Sequence, residues 1–500
     1  MKFIDKRKVR AKVERLISLV KILRRGEKRL LRHLYSAITN GEDPLRLELF
    51  NLVESGKVKS DEAAVIALGK NHSTSAYSHL KNRLREDILN VLLLQESPKR
   101  IAQANRAATF ECRKKLAQAY VLISRGAFQE GIEVLKFAQT IAERYELVAE
   151  IVLMNHLIRE AVHLVKDAKQ LHRVNSDINN NVEKWRDILR AEELALVMTA
   201  PNLFKEATGV EEGISTKLIE ELQSLFERNG SARIGLWYYL AYIEYTTSNA
   251  MYLEAIDAGK KFVILVENNP SIHSKNDIAG SNQMLGSAYL NVRDYVNSVI
   301  HFTNSDKNFP VAGNNRLINL ELLYRAYLGS GNFDKALEIV HLALNHPRVK
   351  AKPATLPRWY FLQSCVQFVS GDIDSAYRNL NRDTYLTKQR DDWNVQFRLL
   401  EIMIMIEKKE EEWIDFRIQT LRKFFARNRK LLTPRVKASL DILSALLRKG
   451  LEFDELSKNT ESLLYQSIEE SEGYKWNAVG AEVIRLDHWV QSKRKKLHKV

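Results

Sequence analysis

Cysteine, proline and glycine are all scarce in this sequence. Two cysteines, Cys112 and Cys365, occur with 9 prolines and 20 glycines in 500 residues. A disulfide scaffold needs more cysteines, and a structural zinc site needs closely spaced ligands, so neither is expected. Each proline lies between periodic apolar segments, as helices require, because proline lacks an N–H group. This scarcity also argues against a fold rich in strands and loops.

Long apolar runs are absent as well. No stretch approaches the roughly eighteen uncharged apolar residues of a membrane-spanning helix. The N-terminal stretch MKFIDKRKVRAKVERLISLVKILRR is too densely charged to supply the apolar core of a signal peptide. We therefore expect no transmembrane segment and a cytoplasmic location.

The common catalytic and nucleotide-binding motifs are also missing. The 12 histidines form no H-E-x-x-H pair, and no G-x-x-x-x-G-K-[ST], G-x-G-x-x-G or G-x-S-x-G motif occurs. The carboxylate-rich run from Glu407 to Trp413 lies between two predicted helices, where a solvated surface is the usual environment. We predict no catalytic residues, no metal site and no cofactor, and we do not expect an enzyme.

Positive charge is confined to the two ends of the chain. The formal net charge is +15. Residues 1–35 hold thirteen Lys and Arg against three acidic residues, and residues 491–500 add five more cations. Residues 36–490 therefore carry no net charge, and only the ends of the chain are basic.

Apolar residues recur at three- and four-residue spacing along nearly the whole chain. After Thr74, for example, Tyr77, Leu80, Leu84 and Ile88 form one stripe. This spacing is typical of amphipathic helices, and no sustained alternating run suggests a β-hairpin. The sequence predicts an all-α fold.

One phrase repeats within this helical pattern. A turn is followed by an aromatic or apolar residue, by a small residue three positions later, and by an apolar residue four positions after that. The copies are Phe128, Gly131 and Leu135; Tyr295, Ser298 and Phe302; Phe333, Ala336 and Val340; Ile373, Ala376 and Leu380; and a weaker one at Tyr252 and Ala255. A glycine precedes three of them and permits a positive φ at the turn, while the small residue lets two antiparallel helices approach closely.

These residues resemble the signature of the tetratricopeptide repeat (TPR). The upstream helices agree, since Leu285, Gly286 and Tyr289 precede one copy at the family's spacing and Pro310 closes it. The copies at 252, 295, 333 and 373 are 43, 38 and 40 residues apart, whereas the standard repeat has about 34. The resemblance implies an α-solenoid of stacked antiparallel helical hairpins.

The pattern predicts four segments. Residues 1–35 form a basic amphipathic helical segment, and residues 36–105 a small helical domain that weakly resembles a helix–turn–helix. Residues 106–390 form the TPR-like array, and residues 391–500 continue it as divergent helices with a basic tail.

The TPR resemblance implies that a partner protein or peptide binds the concave surface formed by the first helix of each hairpin. We therefore predict an adaptor or scaffold protein. The predicted contact residues are Trp237, Glu244, Gln283, Asn291, Glu321, Arg325, Arg358 and Phe361. They do not reproduce the lysine–asparagine clamp by which some family members hold a C-terminal carboxylate. The aromatic run from Leu236 to Tyr245 either lines this groove or packs between hairpins.

The basic N-terminal region supports an alternative function, a regulator that associates with DNA or RNA. Its candidate contacts are Lys6, Arg10, Lys21, Arg24, Arg25, Lys28, Lys81, Asn82 and Arg85. A plain helical cap, an acidic partner or an anionic membrane surface would also suit this charge. Insertion into a membrane requires the apolar stripe of Val13, Leu16, Ile17 and Val20 to be free.

Overall fold

The fold was analysed in a computed structural model. It describes residues 13–38, 44–69, 74–101, 103–164, 167–199, 215–352, 355–382 and 391–494. The chain divides into two compact units, Met1–Lys114 and Lys115–Val500. Every regular element within the described ranges is a helix, as the apolar spacing predicts.

The first unit is a small helical bundle. Its helices are α1 (Val13–Ile22), α2 (Arg25–Ile38), α3 (Pro44–Glu54), α4 (Asp61–Ala67) and α5 (Thr74–Gln95), followed by a short 3₁₀ turn, Pro98–Arg100. The apolar stripe of α1 packs on α3 and α5, and these helices share one core around Leu49, Phe50 and Leu84. The predicted boundary at residue 35 lies inside α2. The four-segment division remains a prediction.

The second unit is a succession of helical hairpins. The boundary between the two units falls within α6 (Ala104–Ser124), after Lys114. The next are α7 (Phe128–Arg144), α8 (Val148–Leu164), α9 (Ala168–Thr199), α10 (Thr216–Asn229), α11 (Ala232–Ser248), α12 (Tyr252–Asn268), α13 (Lys275–Asn291) and α14 (Tyr295–Asn308). Then follow α15 (Asn314–Gly329), α16 (Phe333–Leu344), α17 (Pro347–Ala351), α18 (Leu356–Val369), α19 (Ile373–Leu380), α20 (Asp391–Lys408), α21 (Glu411–Arg427), α22 (Pro434–Arg448), α23 (Lys458–Ile468) and α24 (Leu486–Lys493). Consecutive helices pack on each other, which makes this unit an all-α solenoid.

The repeated phrase marks the start of a helix in each of its five copies. Phe128, Tyr252, Tyr295, Phe333 and Ile373 are the first residues of α7, α12, α14, α16 and α19. Each of these helices is the second member of a hairpin. The phrase therefore marks the same place in every hairpin.

The turn before each of these helices needs a left-handed backbone. Gly331 has φ +75°, a conformation that glycine adopts without steric cost. Where no glycine is available, Ala250 and Arg293 adopt positive φ at the corresponding place. Lys409 does the same between α20 and α21, so this hairpin has the same turn although its sequence lacks the phrase.

Small residues sit where paired helices come closest. Ala336 and Ala376 are completely buried. At Gly286, an added Cβ would lie 2.8 Å from the ring of Phe302 on the following helix. The small residues of the phrase thus set the spacing between helices.

We expect Ala336→Leu to lower the free energy of unfolding by about 1–3 kcal/mol, because the larger side chain overpacks the hairpin. Urea denaturation measures this change. Ala426→Leu, at an exposed alanine of α21, is the matched control and should shift stability by no more than about 0.5 kcal/mol. Equal effects of the two substitutions would contradict the close approach at Ala336.

The C-terminal region departs from the sequence prediction at one point. The apolar spacing predicts a helix over residues 480–498, but α24 begins only at Leu486. Between α23 and α24 the chain is irregular and packs its side chains against the hairpins. Residues 469–494, which include α24, are called the C-terminal segment below.

Candidate functional site

The first helices of successive hairpins, α11, α13, α15 and α18, carry all eight predicted partner-contact residues; their surface is called the first-helix face. Three of these residues form one ion-pair cluster. Oε1 of Glu321 accepts hydrogen bonds from Arg325 at 3.2 Å and from Arg358 at 2.6 Å. The guanidinium of Arg358 lies 4.1 Å from the ring centroid of Trp393, and the ring of Phe361 meets the same indole edge-on at 5.8 Å. The predicted positions therefore converge, although Trp393 was not among them.

Two of the eight predicted contact residues do not face solvent. Arg325 is 5% exposed and Phe361 is 2% exposed. Arg325 donates a hydrogen bond to the carbonyl oxygen of Ala478, at 3.1 Å, in the C-terminal segment. Phe361 lies beneath Trp393 and Phe397 of α20. The expectation that these two side chains line an open groove is therefore corrected, because the chain itself covers them.

The other four predicted contact residues keep some exposure. Glu244 is exposed, and Trp237, Gln283 and Asn291 are partly exposed, on α11 and α13. Gln283 reaches across to the carbonyl oxygen of Asn315, at 3.3 Å. The structure thus keeps this part of the first-helix face accessible.

The tyrosines of α11 are partly buried against neighbouring aromatic rings. Tyr238 stacks on Phe226 of α10 and on Tyr242, with ring centroids 6.1 and 5.7 Å apart. Burial and, to a smaller extent, the electrostatic interaction with the neighbouring Tyr242 raise the pKa of Tyr238 to about 12. The sequence left two interpretations of this aromatic run, lining the groove or packing between hairpins. Packing accounts for these rings.

The C-terminal segment lies along the ends of the first helices. Arg293, in the turn after α13, pairs with Glu470 and lies 5.5 Å from the ring centroid of Trp476. Farther along, the indole N–H of Trp489 donates to Glu407 at the end of α20, at 2.8 Å. The segment therefore closes this side of the array from α13 to α20.

A cavity of about 680 Å³ remains between the C-terminal segment and the hairpins; it is called the edge cavity. It lies at the C-terminal ends of α13, α15, α18 and α20, beside the turns that lead into the second helices. Deeper in the groove, Val483 and Ile484 face Phe361 and Met403 with only about 10 Å³ of free space. The segment thus packs tightly over α18 and α20 and leaves a much larger space at the edge.

A buried charge network fixes the C-terminal segment. Arg435 of α22 donates to Glu482 at 2.6 Å and to Asp487 at 2.9 Å, and Arg485 also binds Asp487 at 2.6 Å. Burial raises the pKa of Asp487, but hydrogen bonding from Arg485 and the charges of Arg435 and Arg485 lower it below its usual value. Asp487 is therefore ionised at neutral pH.

The predicted nucleic-acid residues are dispersed in the first unit. Lys6 and Arg10 lie outside the described residues. Lys21, Arg24, Arg25 and Asn82 are exposed, while Lys28 and Arg85 are partly exposed. Arg24 pairs with Glu27 and Glu96, Lys28 with Glu54, and Arg85 with Glu86.

Lys81 is corrected from a surface contact to an interior residue. It is 4% exposed, and its ammonium group donates to Asp61 at 2.9 Å. The hydroxyl of Tyr77 donates to the same carboxylate oxygen at 3.0 Å. The buried stripe of α5 runs through Tyr77, Lys81, Leu84 and Ile88, so the lysine lies within the stripe rather than beside it.

The apolar stripe of α1 is not free to enter a membrane. Val13, Leu16 and Val20 are buried in the core of the first unit, and Ile17 packs against it. Among the described helices, none is long and apolar enough to cross a bilayer. Among the residues that the structure describes, no group of three His, Cys, Asp or Glu side chains could hold a metal ion.

Sequence reasoning missed the residues that close the edge cavity. Trp476, Arg485 and Trp489 line it from the C-terminal segment. Arg435 of α22, which does not line the cavity but binds Asp487 of that segment, was missed as well. The signal available in the sequence was the pair of tryptophans close to the basic tail, in a region without the repeated phrase. Large aromatic residues mostly serve burial, so they indicate a packed segment.

Comparison with known proteins adds little to this picture. No protein-family model matches the chain, and no curated protein matches it. Two solved structures share a low-scoring similarity. The apo form of RapI has 12% sequence identity and a TM-score of 0.41, covering 76% of this chain and 98% of RapI. The Rap conjugation gene regulator of the plasmid pLS20, in complex with the Phr* peptide, has 13% identity and a TM-score of 0.40, covering 76% of this chain and 95% of that protein. The fold assignment therefore stands on the chain's own helices, which define an all-α helical-repeat protein.

Proposed function

We propose that this chain is a binding protein that captures a partner protein or peptide on the first-helix face at α11 and α13. One observation supports this location above all. The predicted contacts Trp237, Glu244, Gln283 and Asn291 are exposed or partly exposed there, whereas Arg325 of α15 and Phe361 of α18 are covered by the C-terminal segment and α20. Partner recognition thus uses the uncovered part of the array.

The proposal includes the TPR class of the hairpins. Its support is the common register, in which the aromatic residue begins the second helix and a buried small residue follows three positions later, as at Phe333 and Ala336. As the sequence predicts, we also propose that the chain binds its partner in the cytoplasm, without catalysis and without a cofactor.

We expect Glu244→Arg combined with Gln283→Arg to reduce partner capture by about tenfold or more, because both changes place new charge at the centre of the proposed contact. Tagged wild-type and variant proteins are expressed in the native cell, and the bound partners are quantified by mass spectrometry. Circular dichroism should show equal helix content, since Glu244 is exposed and Gln283 is partly exposed.

Glu254→Arg is the matched control, because Glu254 is exposed on α12, the second helix of the same hairpin. It should leave capture unchanged. Equal loss in the control and the double variant, or normal capture by the folded double variant, would move the site away from α11 and α13.

A nuclease-treated sample separates the alternative function, nucleic-acid association through the basic first unit. Partners held directly by α11 and α13 survive nuclease and are lost in the double variant. If all capture instead disappears on nuclease treatment and persists in the double variant, the chain associates through DNA or RNA.

A further inference from the structure

The edge cavity is separate from the proposed partner surface and has the size of a ligand site. Its volume is about 680 Å³, within the roughly 300–1,000 Å³ typical of small-molecule sites. None of the four accessible contact residues on α11 and α13 lines it. The edge cavity is therefore considered as a separate ligand site.

The walls of the edge cavity are mainly apolar and aromatic. Leu328 and Phe333 come from the hairpin of α15 and α16, and Phe368 comes from the end of α18. Trp476 and Trp489 of the C-terminal segment form the opposite side. Such a lining favours an apolar or aromatic body, which gains by leaving water.

The polar groups of the cavity are mostly cationic. Among the described residues, Arg293, Arg325, Arg485 and Lys493 line it, and so does the carboxylate of Glu407. Burial, followed by the positive charge of Arg485, lowers the pKa of the neighbouring His488, so at neutral pH this imidazole adds no charge. The carboxylates that pair with the arginines, among them Glu470 and Asp487, do not line the cavity. Each lining cation nevertheless has a carboxylate partner, since Arg293 and Arg485 pair with Glu470, Arg325 with Glu321 and Lys493 with Glu407. What the cavity offers an acidic group is therefore the remaining N–H donors of paired cations rather than a net positive charge.

The helix ends disfavour an anion. The C-terminal ends of α15 and α18 border the cavity, and each carries a partial charge of about −0.5. Binding of an acidic group therefore depends on direct hydrogen bonds from the cationic side chains. In addition, the Nε–H of the buried Arg325 has no acceptor among the described residues, so within them this guanidinium keeps one donor unused.

We propose that the edge cavity binds a small amphipathic anion, an apolar or aromatic body that carries one carboxylate or sulfonate group. The body packs between Phe333, Phe368 and the two tryptophans of the C-terminal segment. The acidic group meets the cations at the rim, where Arg293 and Lys493 are partly open to solvent. Because the ligand contacts both the hairpins and the C-terminal segment, it holds them together.

Two dyes with the same ring system test both halves of this proposal. Anilinonaphthalene sulfonate carries the acidic group, and phenylnaphthylamine is its neutral counterpart. In fluorescence titrations of the full chain, the sulfonate should bind about tenfold tighter, because hydrogen bonds to an ionised acceptor are roughly twice as strong as those to a neutral one. The near-ultraviolet circular dichroism of the protein should stay unchanged, which separates binding to the folded cavity from binding to unfolded chain.

Substitutions locate the dyes within the molecule. Val369→Trp fills space at the cavity wall and should weaken both dyes by about tenfold. Val296→Trp is its control, because Val296 is exposed on α14 and outside the cavity. Arg293→Gln combined with Lys493→Gln should weaken only the sulfonate, by about threefold to fivefold. Their control, Arg378→Gln with Lys335→Gln, removes two exposed cations outside the cavity and should have no effect.

Several results would overturn the proposal. Equal affinity for the two dyes would remove the role of the cations, and sulfonate binding that both Val369→Trp and the Arg293 and Lys493 variant leave unchanged would place the dye elsewhere. Failure to bind either dye would refute the site itself. None of these results bears on partner capture, because the Glu244 and Gln283 variant leaves the cavity lining intact.

Discussion

Arg435→Met is expected to lower the free energy of unfolding by about 3–5 kcal/mol, the range for removing one partner from a buried ion pair. Arg435 is 6% exposed, and its guanidinium binds Glu482, Asp487 and the carbonyl oxygens of Ser467 and Tyr474. Methionine has a similar length but no donor. The substitution therefore leaves two carboxylates and two carbonyl groups with too few hydrogen bonds in the interior.

Urea denaturation monitored by circular dichroism measures this loss, as a lower midpoint at a constant slope. Lys335→Met is the matched control. The ammonium group of Lys335 pairs with Glu338 on the surface of α16, where both side chains are at least half exposed, so its loss should cost less than about 1 kcal/mol. If Arg435→Met cost no more than the control, the network would not hold the C-terminal segment in place.

The same network gives stability a defined dependence on pH. The pKa of Asp487 in the folded chain lies below its usual value. Its contribution to stability is therefore complete above the unfolded pKa, about 3.9, and is lost as pH falls through the folded value. A protonated Asp487 needs no cation, so the stability difference between wild type and Arg435→Met should shrink below about pH 4. A difference that stayed constant on acidification would exclude this role for Asp487.

The hairpin register could be predicted because it depends on neighbouring residues. An aromatic residue after a turn and a small residue three positions later determine where one helix begins and how closely it packs, as Tyr295 and Ser298 show. These contacts lie within a single hairpin. Residues 409–411 lack the phrase, and the turn at Lys409 became visible only from its positive φ.

The candidate site could be predicted only in part, because its cover is distant in sequence. Position within the repeat assigned Glu321, Arg325 and Arg358 to one face, and their side chains contact each other in the structure. The residue that covers Arg325 is Ala478, 153 positions away, in a segment without repeat spacing. Periodicity assigns a face to a side chain, but it does not show what later packs on that face.

Lys81 illustrates a second limit of sequence patterns. Its position relative to the apolar stripe, together with its charge, suggested a surface residue, since lysine is rarely buried without a partner. Its partner, Asp61, begins α4, 20 positions earlier, and also accepts hydrogen bonds from Tyr77 and from the backbone N–H of Val13. Pairing across helices reversed the prediction.

The burial of Arg325 makes its charge reversal a test of stability rather than of binding. Its guanidinium contacts Glu321 and the carbonyl oxygen of Ala478, and it lies 5.8 Å from the ring centroid of Trp393. Arg325→Glu removes these bonds and places a second carboxylate beside Glu321, whose side chain is 13% exposed. Two like charges at low exposure repel each other and lose their hydration together.

We expect Arg325→Glu to lower the free energy of unfolding by about 3–5 kcal/mol, comparable to the loss of a buried pair. Arg378→Glu makes the same change at an exposed residue of α19 and should alter stability by no more than about 0.5 kcal/mol. Urea denaturation of both variants gives the comparison. A stable Arg325→Glu protein would show that the C-terminal segment can leave α15 at little cost, and the first-helix face there would then be open to a partner. A large loss of stability means that failed partner capture by this variant reports unfolding, whereas the Glu244 and Gln283 variant reports binding.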